Sequence, residues 1–140
     1  MPAACADVDP LVVLFHEDGC LSCEDMLALL EGLVIDDFDA RVAQYEIVDP
    51  ESARLLSDLS KAYAIDVPQT VPIVFVNDQV FVGTLSFSEE RLLSDTISDC
   101  LREGCESPMA RLPQVQLRRD LPRVALFLAA FLALAWLQLR

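Results

Sequence analysis

Basic residues are scarce in this 140-residue chain: ten Lys and Arg stand against 23 Asp and Glu, for a formal net charge of −13. Binding a phosphate backbone relies on Lys and Arg contacts, so this balance excludes a nucleic-acid partner. No secretory signal peptide is visible, because Met1–Pro10 hold no Lys or Arg and no apolar stretch of the required length. Histidine occurs once, as His16, and reads as a surface or packing residue in preference to a proton shuttle. Internal repeats and low-complexity tracts are absent. At about 100–200 residues per domain, the length allows one domain and an appendage.

The charge is divided along the chain. Residues 1–110 hold 22 Asp/Glu and five Lys/Arg, whereas residues 111–140 hold one acid, Asp120, and five Arg. An acidic globular part is therefore joined to a basic and then very apolar tail. The apolar fraction of 54% reflects that tail as well as a core.

Local patterns give an ordered series of elements. Leu11–Phe15 (LVVLF) is an apolar run of strand length. From Leu21 the apolar residues Met26, Leu27, Leu29, Leu30 and Leu33 recur at helical spacing, with Gly32 near the end. Arg41–Val48 alternates apolar and polar residues and reads as a strand. Asp49 then suits an N-cap and Pro50 a first helical position, opening a helix through Leu55, Leu56, Leu59 and Tyr63. Val71–Val76 and Val80–Val82, separated by Asn77-Asp78-Gln79, read as a β-hairpin. Ser88, with Glu89 and Glu90 in the first turn, begins a third helix that runs through Leu101 and ends at Gly104. The expected fold is α/β: a βαβ unit followed by ββα, forming a mixed four-stranded sheet with helices on both faces.

The expected boundaries are a mobile N-terminus over 1–10, a domain over 11–105, a linker over 106–123, and a C-terminal hydrophobic helix over 124–140. Val124–Leu137 is 14 apolar residues without interruption, shorter than the roughly 20 a spanning helix prefers. Leu121 and Leu139 extend it, Arg123 and Arg140 are placed to snorkel, and Trp136 lies near one end. The expectation is a single-pass membrane helix. Arg111, Arg118, Arg119 and Arg123 precede it and only Arg140 follows, which puts the domain on the cytoplasmic side.

The chemistry centres on Cys20-Leu21-Ser22-Cys23, placed after the first strand and at the mouth of the first helix. A thiolate attacks disulfides, and a helix N-terminus favours negative charge. Cys20, at the mouth, is the expected nucleophile, and Cys23, one turn inside, is placed to resolve a mixed disulfide. Taken alone, the motif also fits half of a zinc site completed by Cys100 and Cys105, or by His16. Thr70-Val71-Pro72 opens the third strand, and a cis Val71–Pro72 bond there would set backbone beside the cysteines. Val71 and Thr70 would then present main chain to a substrate. Cys100 and Cys105 flank Gly104 and stand as a candidate second redox pair, a structural disulfide, free thiols or metal ligands. Cys5 reads as incidental.

Over about residues 10–104 the chain resembles the thioredoxin/glutaredoxin superfamily. The segment TVPIVFVNDQVFVG is similar to the glutaredoxin stretch that carries the cis-proline and the following hairpin. The resemblance implies Cys20 as nucleophile, Cys23 as resolving cysteine and Pro72 as the substrate-side cis-proline. It also departs from the family pattern. Gly19 stands where thioredoxins have Trp, Leu21-Ser22 replace Gly-Pro, and Leu14 occupies the place of their buried acid. Glu17, Asp18, Glu24 and Asp25 surround the cysteines where glutaredoxins carry a basic residue, and only Gly83-Thr84 follows the hairpin, so glutathione is not expected as a cofactor.

The expected activity is dithiol–disulfide exchange with no metal and no organic cofactor, acting on a disulfide-containing protein or small thiol. The four acids oppose the helix-mouth effect on Cys20 and point to a reductase or electron carrier, not a strong oxidant. The alternatives are a non-catalytic module holding zinc or a partner protein, and a redox sensor.

Overall fold

The computed structural model describes residues 9–138. Cys5 and most of the expected N-terminal stretch, with Leu139 and Arg140, lie outside the described residues. Four strands, β1 (Val12–His16), β2 (Val42–Glu46), β3 (Ile73–Val76) and β4 (Gln79–Val82), form a sheet in the order β2-β1-β3-β4. β1 and β2 are parallel, while β3 is antiparallel to both β1 and β4. The helices are α1 (Leu21–Leu33), α2 (Phe38–Arg41), α3 (Pro50–Ala62), α4 (Phe87–Glu103) and α5 (Pro113–Gln138), with a 3₁₀ turn at Pro108–Arg111.

β1 is the central strand, and its side chains divide the interior. Val12 and Leu14 face one side with Val74 and Val76, against Met26 and Leu30 of α1 and Leu93 and Ile97 of α4. Val13 and Phe15 face the other with Ile73 and Phe75, against Leu56 and Leu59 of α3. Alternate residues of a strand point to opposite faces, so a strand covered on both sides must be apolar at every position. Leu11–Phe15 reads as an unbroken apolar run for that reason.

Helix boundaries follow capping chemistry. Asp49 caps α3 through the Glu51 N–H, with Pro50 at the first helical position. α4 opens earlier than the Ser88 start expected from the pattern. Ser86 is its cap, and a reciprocal capping box with Glu89 fixes the first turn. That hydrogen bonding lowers the Glu89 carboxyl below its ordinary range. The hairpin turns on Asn77-Asp78, with Asn77 in the left-handed region at φ 51°. The short helix α2 has no counterpart in the sequence reading.

The C-terminal expectation is corrected. The segment read as an irregular linker carries the 3₁₀ turn and the first turns of α5, which continues past Pro122. Among the described residues no helix is long and apolar enough to cross a membrane. The physical reason is length: 14 residues at 1.5 Å each span about 21 Å, against a hydrocarbon core of about 30 Å. Arg118, Arg119, Asp120 and Arg123 occupy the same helix just before the apolar run. The single-pass placement, and the cytoplasmic orientation derived from it, are therefore overturned.

On the α3 face, Tyr63 is half-buried and its hydroxyl donates to the Asn77 carbonyl at 2.6 Å. Its ring meets Phe75 edge-on at 5.1 Å, and the Arg111 guanidinium lies 4.5 Å from the ring centroid. Burial pushes the Tyr63 phenol up to about 12, with Arg111 pulling in the opposite direction. Burial raises Tyr45 as well. A phenol raised from about 10 in the unfolded chain favours the folded state fully below pH 10, and the contribution is lost as pH rises towards 12. Phenolate absorbance should show both tyrosines of the folded protein ionising above the unfolded value, with denaturant stability falling across that window.

Candidate active site

The Cys20–Cys23 motif sits where β1 hands the chain to α1. After His16, Glu17-Asp18 turn the backbone, with Gly19 in the left-handed region at φ 76°, which suits glycine. Cys20 then occupies the N-cap of α1 in extended conformation. Its carbonyl accepts from the N–H groups of Cys23 and Glu24 at 3.1 Å each. Its sulfur accepts from the Cys23 N–H at 3.2 Å and lies 3.3 Å from the Ser22 hydroxyl. A cysteine thus fills a role usually taken by Ser, Thr, Asp or Asn, and its Sγ lies where a helix best tolerates negative charge.

Cys20 and Cys23 are joined by a disulfide, with Cα atoms 5.2 Å apart. Cys20 is half-buried and Cys23 is 5% exposed. The asymmetry means that an incoming sulfur reaches Cys20 first. On one side the pair borders a cavity of about 180 Å³, whose lining includes Leu14, His16, Glu17, Asp18, Glu24 and Gln44. Behind the motif, a smaller cleft of about 90 Å³ is lined by Ser22, Asp25, Gly83, Thr84 and Glu90, among others. A larger cavity, about 560 Å³, lies elsewhere between α3 and the start of α5; neither cysteine nor histidine lines it.

Pro72 is buried and the Val71–Pro72 peptide bond is cis. The Pro72 carbonyl accepts from the Gly83 N–H at 2.8 Å. Ile73, the next residue, pairs with Phe15 near the end of β1 that leads to Cys20. Pro72 and the cysteines therefore share one end of the sheet. Val71 is half-buried against the Phe15–Phe75 cluster, and Thr70 is exposed.

Cys100 and Cys105 form a second disulfide at the other end. Val12 pairs with Val76 at that end, and the surface around Cys100 and Cys105 includes Asn77, Pro10 and Leu11. The two cysteine pairs are not brought together, and among the described residues no group of three or more His, Cys, Asp or Glu could hold a metal ion. Leu14 is 1% exposed and lines the cavity beside the cysteines, so the wall position there carries no acid. Sequence reading missed two polar neighbours. Gln44 pairs with Leu14 across the β1–β2 ladder, and the polar position of an alternating strand was its available signal. Ser22 reaches the Cys20 sulfur by sharing the first helical turn.

The sheet order β2-β1-β3-β4, with helices over both faces and a Cys-x-x-Cys at the β1–α1 junction, is a thioredoxin-like α/β arrangement. No family model matches the chain, and no curated protein matches it. Among solved structures it is similar to the glutaredoxin grx-1 from Archaeoglobus fulgidus, at 18% identity and a TM-score of 0.46, over 63% of this chain and 86% of that one.

Two outcomes test the site as built. After reduction, brief exposure to iodoacetamide and peptide mapping should find Cys20 alkylated before Cys23, because only Cys20 is open to solvent. The Cys100–Cys105 link closes a six-residue loop, for which chain entropy predicts about 2 kcal/mol. Denaturant unfolding of C100A/C105A should show a loss of that order.

Proposed function

We propose that this chain is a thiol–disulfide oxidoreductase working through Cys20 and Cys23. The observation that carries the reading is the pairing of an accessible sulfur at a helix N-cap with a buried sulfur one turn inside, already joined to it. In the reduced protein the Cys20 thiolate attacks one sulfur of a substrate disulfide. The substrate S–S bond breaks, and the departing sulfur leaves with the electron pair and takes up a proton. Cys23, as thiolate, then attacks Cys20 Sγ and expels the second substrate thiol. The protein dithiol is oxidised by two electrons and the substrate disulfide becomes two thiols.

The roles divide accordingly. Cys20 is the nucleophile and Cys23 the resolving residue. Pro72, Val71 and Thr70 border the substrate side, and the exposed position of Thr70 suits an extended segment. The substrate is a disulfide-containing protein or a small thiol compound, and the acids around the motif favour a reductase or electron carrier. No cofactor is assigned: the disulfide itself carries the electrons. Cys100 and Cys105 take the role of a clasp between α4 and the segment that follows it.

A redox titration of the full chain, quenched by alkylation and mapped by mass spectrometry, tests this reading. Cys20–Cys23 should close reversibly at a potential in the roughly −120 to −300 mV band of catalytic dithiols. C20S should abolish reduction of a model disulfide, and C23S should accumulate the mixed disulfide on Cys20. A pair that stays reduced across the band, or a C20S variant that still turns over, would remove the proposal.

A further inference from the structure

The cavity and the cleft beside Cys20 are lined by charge of one sign. Glu17, Asp18 and Glu24 line the cavity beside the disulfide, and Asp25 and Glu90 line the cleft behind it. All five are exposed. Neither lining contains a Lys or Arg. The chain has no basic residue before Arg41, and Arg41 lies at the opposite end, beside Cys100 and Cys105.

The Cys23 and Glu24 N–H groups, in the first turn of α1, are bonded to the Cys20 carbonyl and sulfur. The ion pairs Lys61–Asp58, Arg102–Asp99 and Arg102–Glu103 include none of the rim acids. An approaching disulfide therefore meets an uncompensated negative field, at a concave site where such fields act on encounter rates.

We propose that the substrate of the Cys20–Cys23 site is a cationic disulfide: a protein or peptide segment with Lys or Arg beside its cystine sulfur. Glu17, Asp18 and Glu24 select it, and anionic disulfides are rejected. This rests on the thiol–disulfide reading above and adds the substrate class. The exchange step is unchanged; the rim raises the rate at which a positively charged disulfide reaches Cys20 Sγ. An external dithiol of ordinary kind would restore the reduced enzyme between turnovers.

The test uses the reduced full-length protein in single turnover against three small disulfides: cystamine (a dication), bis(2-hydroxyethyl) disulfide (neutral) and 3,3′-dithiodipropionate (a dianion). Each rate constant is divided by that of 2-mercaptoethanol with the same disulfide, which removes differences in leaving group. At low salt the dication should react about tenfold faster than the dianion on this corrected scale, within the range of electrostatic steering. In about 1 M salt, where the screening length is about 3 Å, the preference should collapse.

E17Q/D18N/E24Q should erase most of the preference. E31Q/D36N/D39N removes the same charge at and after the far end of α1 and should retain it, which separates a local rim from overall net charge. A normal rate with the neutral disulfide and no charge preference, or a preference that survives high salt, would overturn the substrate class while leaving the redox reading intact. Failure of all three disulfides to react would remove the redox reading itself.

Discussion

Burial of β1 on both faces and both edges is the constraint on which the rest depends. Val12, Val13, Leu14 and Phe15 are each at most 1% exposed, and the strand is hydrogen-bonded to β2 on one side and β3 on the other. Removing that much apolar surface from water is the dominant favourable term, and it needs two layers of helices, which α1 with α4 and α3 supply. Once β1 is central, its C-terminal end has one exit, into the Glu17–Gly19 turn. The helix that follows must begin there to cover the Leu14 face. Cys20 is thereby placed at a helix mouth by the requirements of the core, and Pro72 is brought to the same end by the antiparallel pairing of Ile73 with Phe15.

The fold and the primary cysteine pair were legible because both depend on short-range signals. The apolar run Leu11–Phe15, the spacing of Met26 and Leu30, the Asp49-Pro50 start and the polar turn at Asn77-Asp78 each encode a local preference that agrees with the final packing. Ser86 was passed over for Ser88 because both residues suit a cap, and only the return of Glu89 to the Ser86 N–H separates them. The alternating pattern marks Gln44 as polar but does not assign it to the site, because its place beside Leu14 depends on the register of β2 against β1, a long-range property. The tail was misread for a different reason. Arg123, Arg140 and Trp136 stand where interfacial anchors would, but such features add little when the apolar stretch between them is a third shorter than the bilayer core.

The placement of acids at the Cys20 end is not explained by folding. Glu17, Asp18, Glu24 and Asp25 are exposed, and exposed charges contribute little to stability. Glu24 stands in the first turn of α1, where a negative charge is mildly favourable, but the other three have no capping role. Their effect falls on what happens at the sulfur. The N-cap position and the N–H of Cys23 favour a negative Cys20 sulfur, and the carboxylates oppose it. In the proposed oxidoreductase, a redox centre held between these influences would be a weaker electron acceptor than one with the helix mouth alone, because a less stabilised thiolate makes the reduced form less favoured.

The same two influences differ in range, which decides how each acts on a substrate. The hydrogen bond to the Cys20 sulfur is short and directional, fades beyond the first turn of α1, and is felt only by the sulfur that it touches. The field of several carboxylates extends over about a Debye length, near 8 Å at physiological salt. It reaches a disulfide before contact, while the sulfur is still within its own shell of water. On the proposed reading, reactivity at Cys20 is governed by the cap and the rim together, but selection among approaching disulfides is left to the rim. On that reading, the acids beside Cys20 and the cap on its sulfur separate those two tasks in space without any cost to the core.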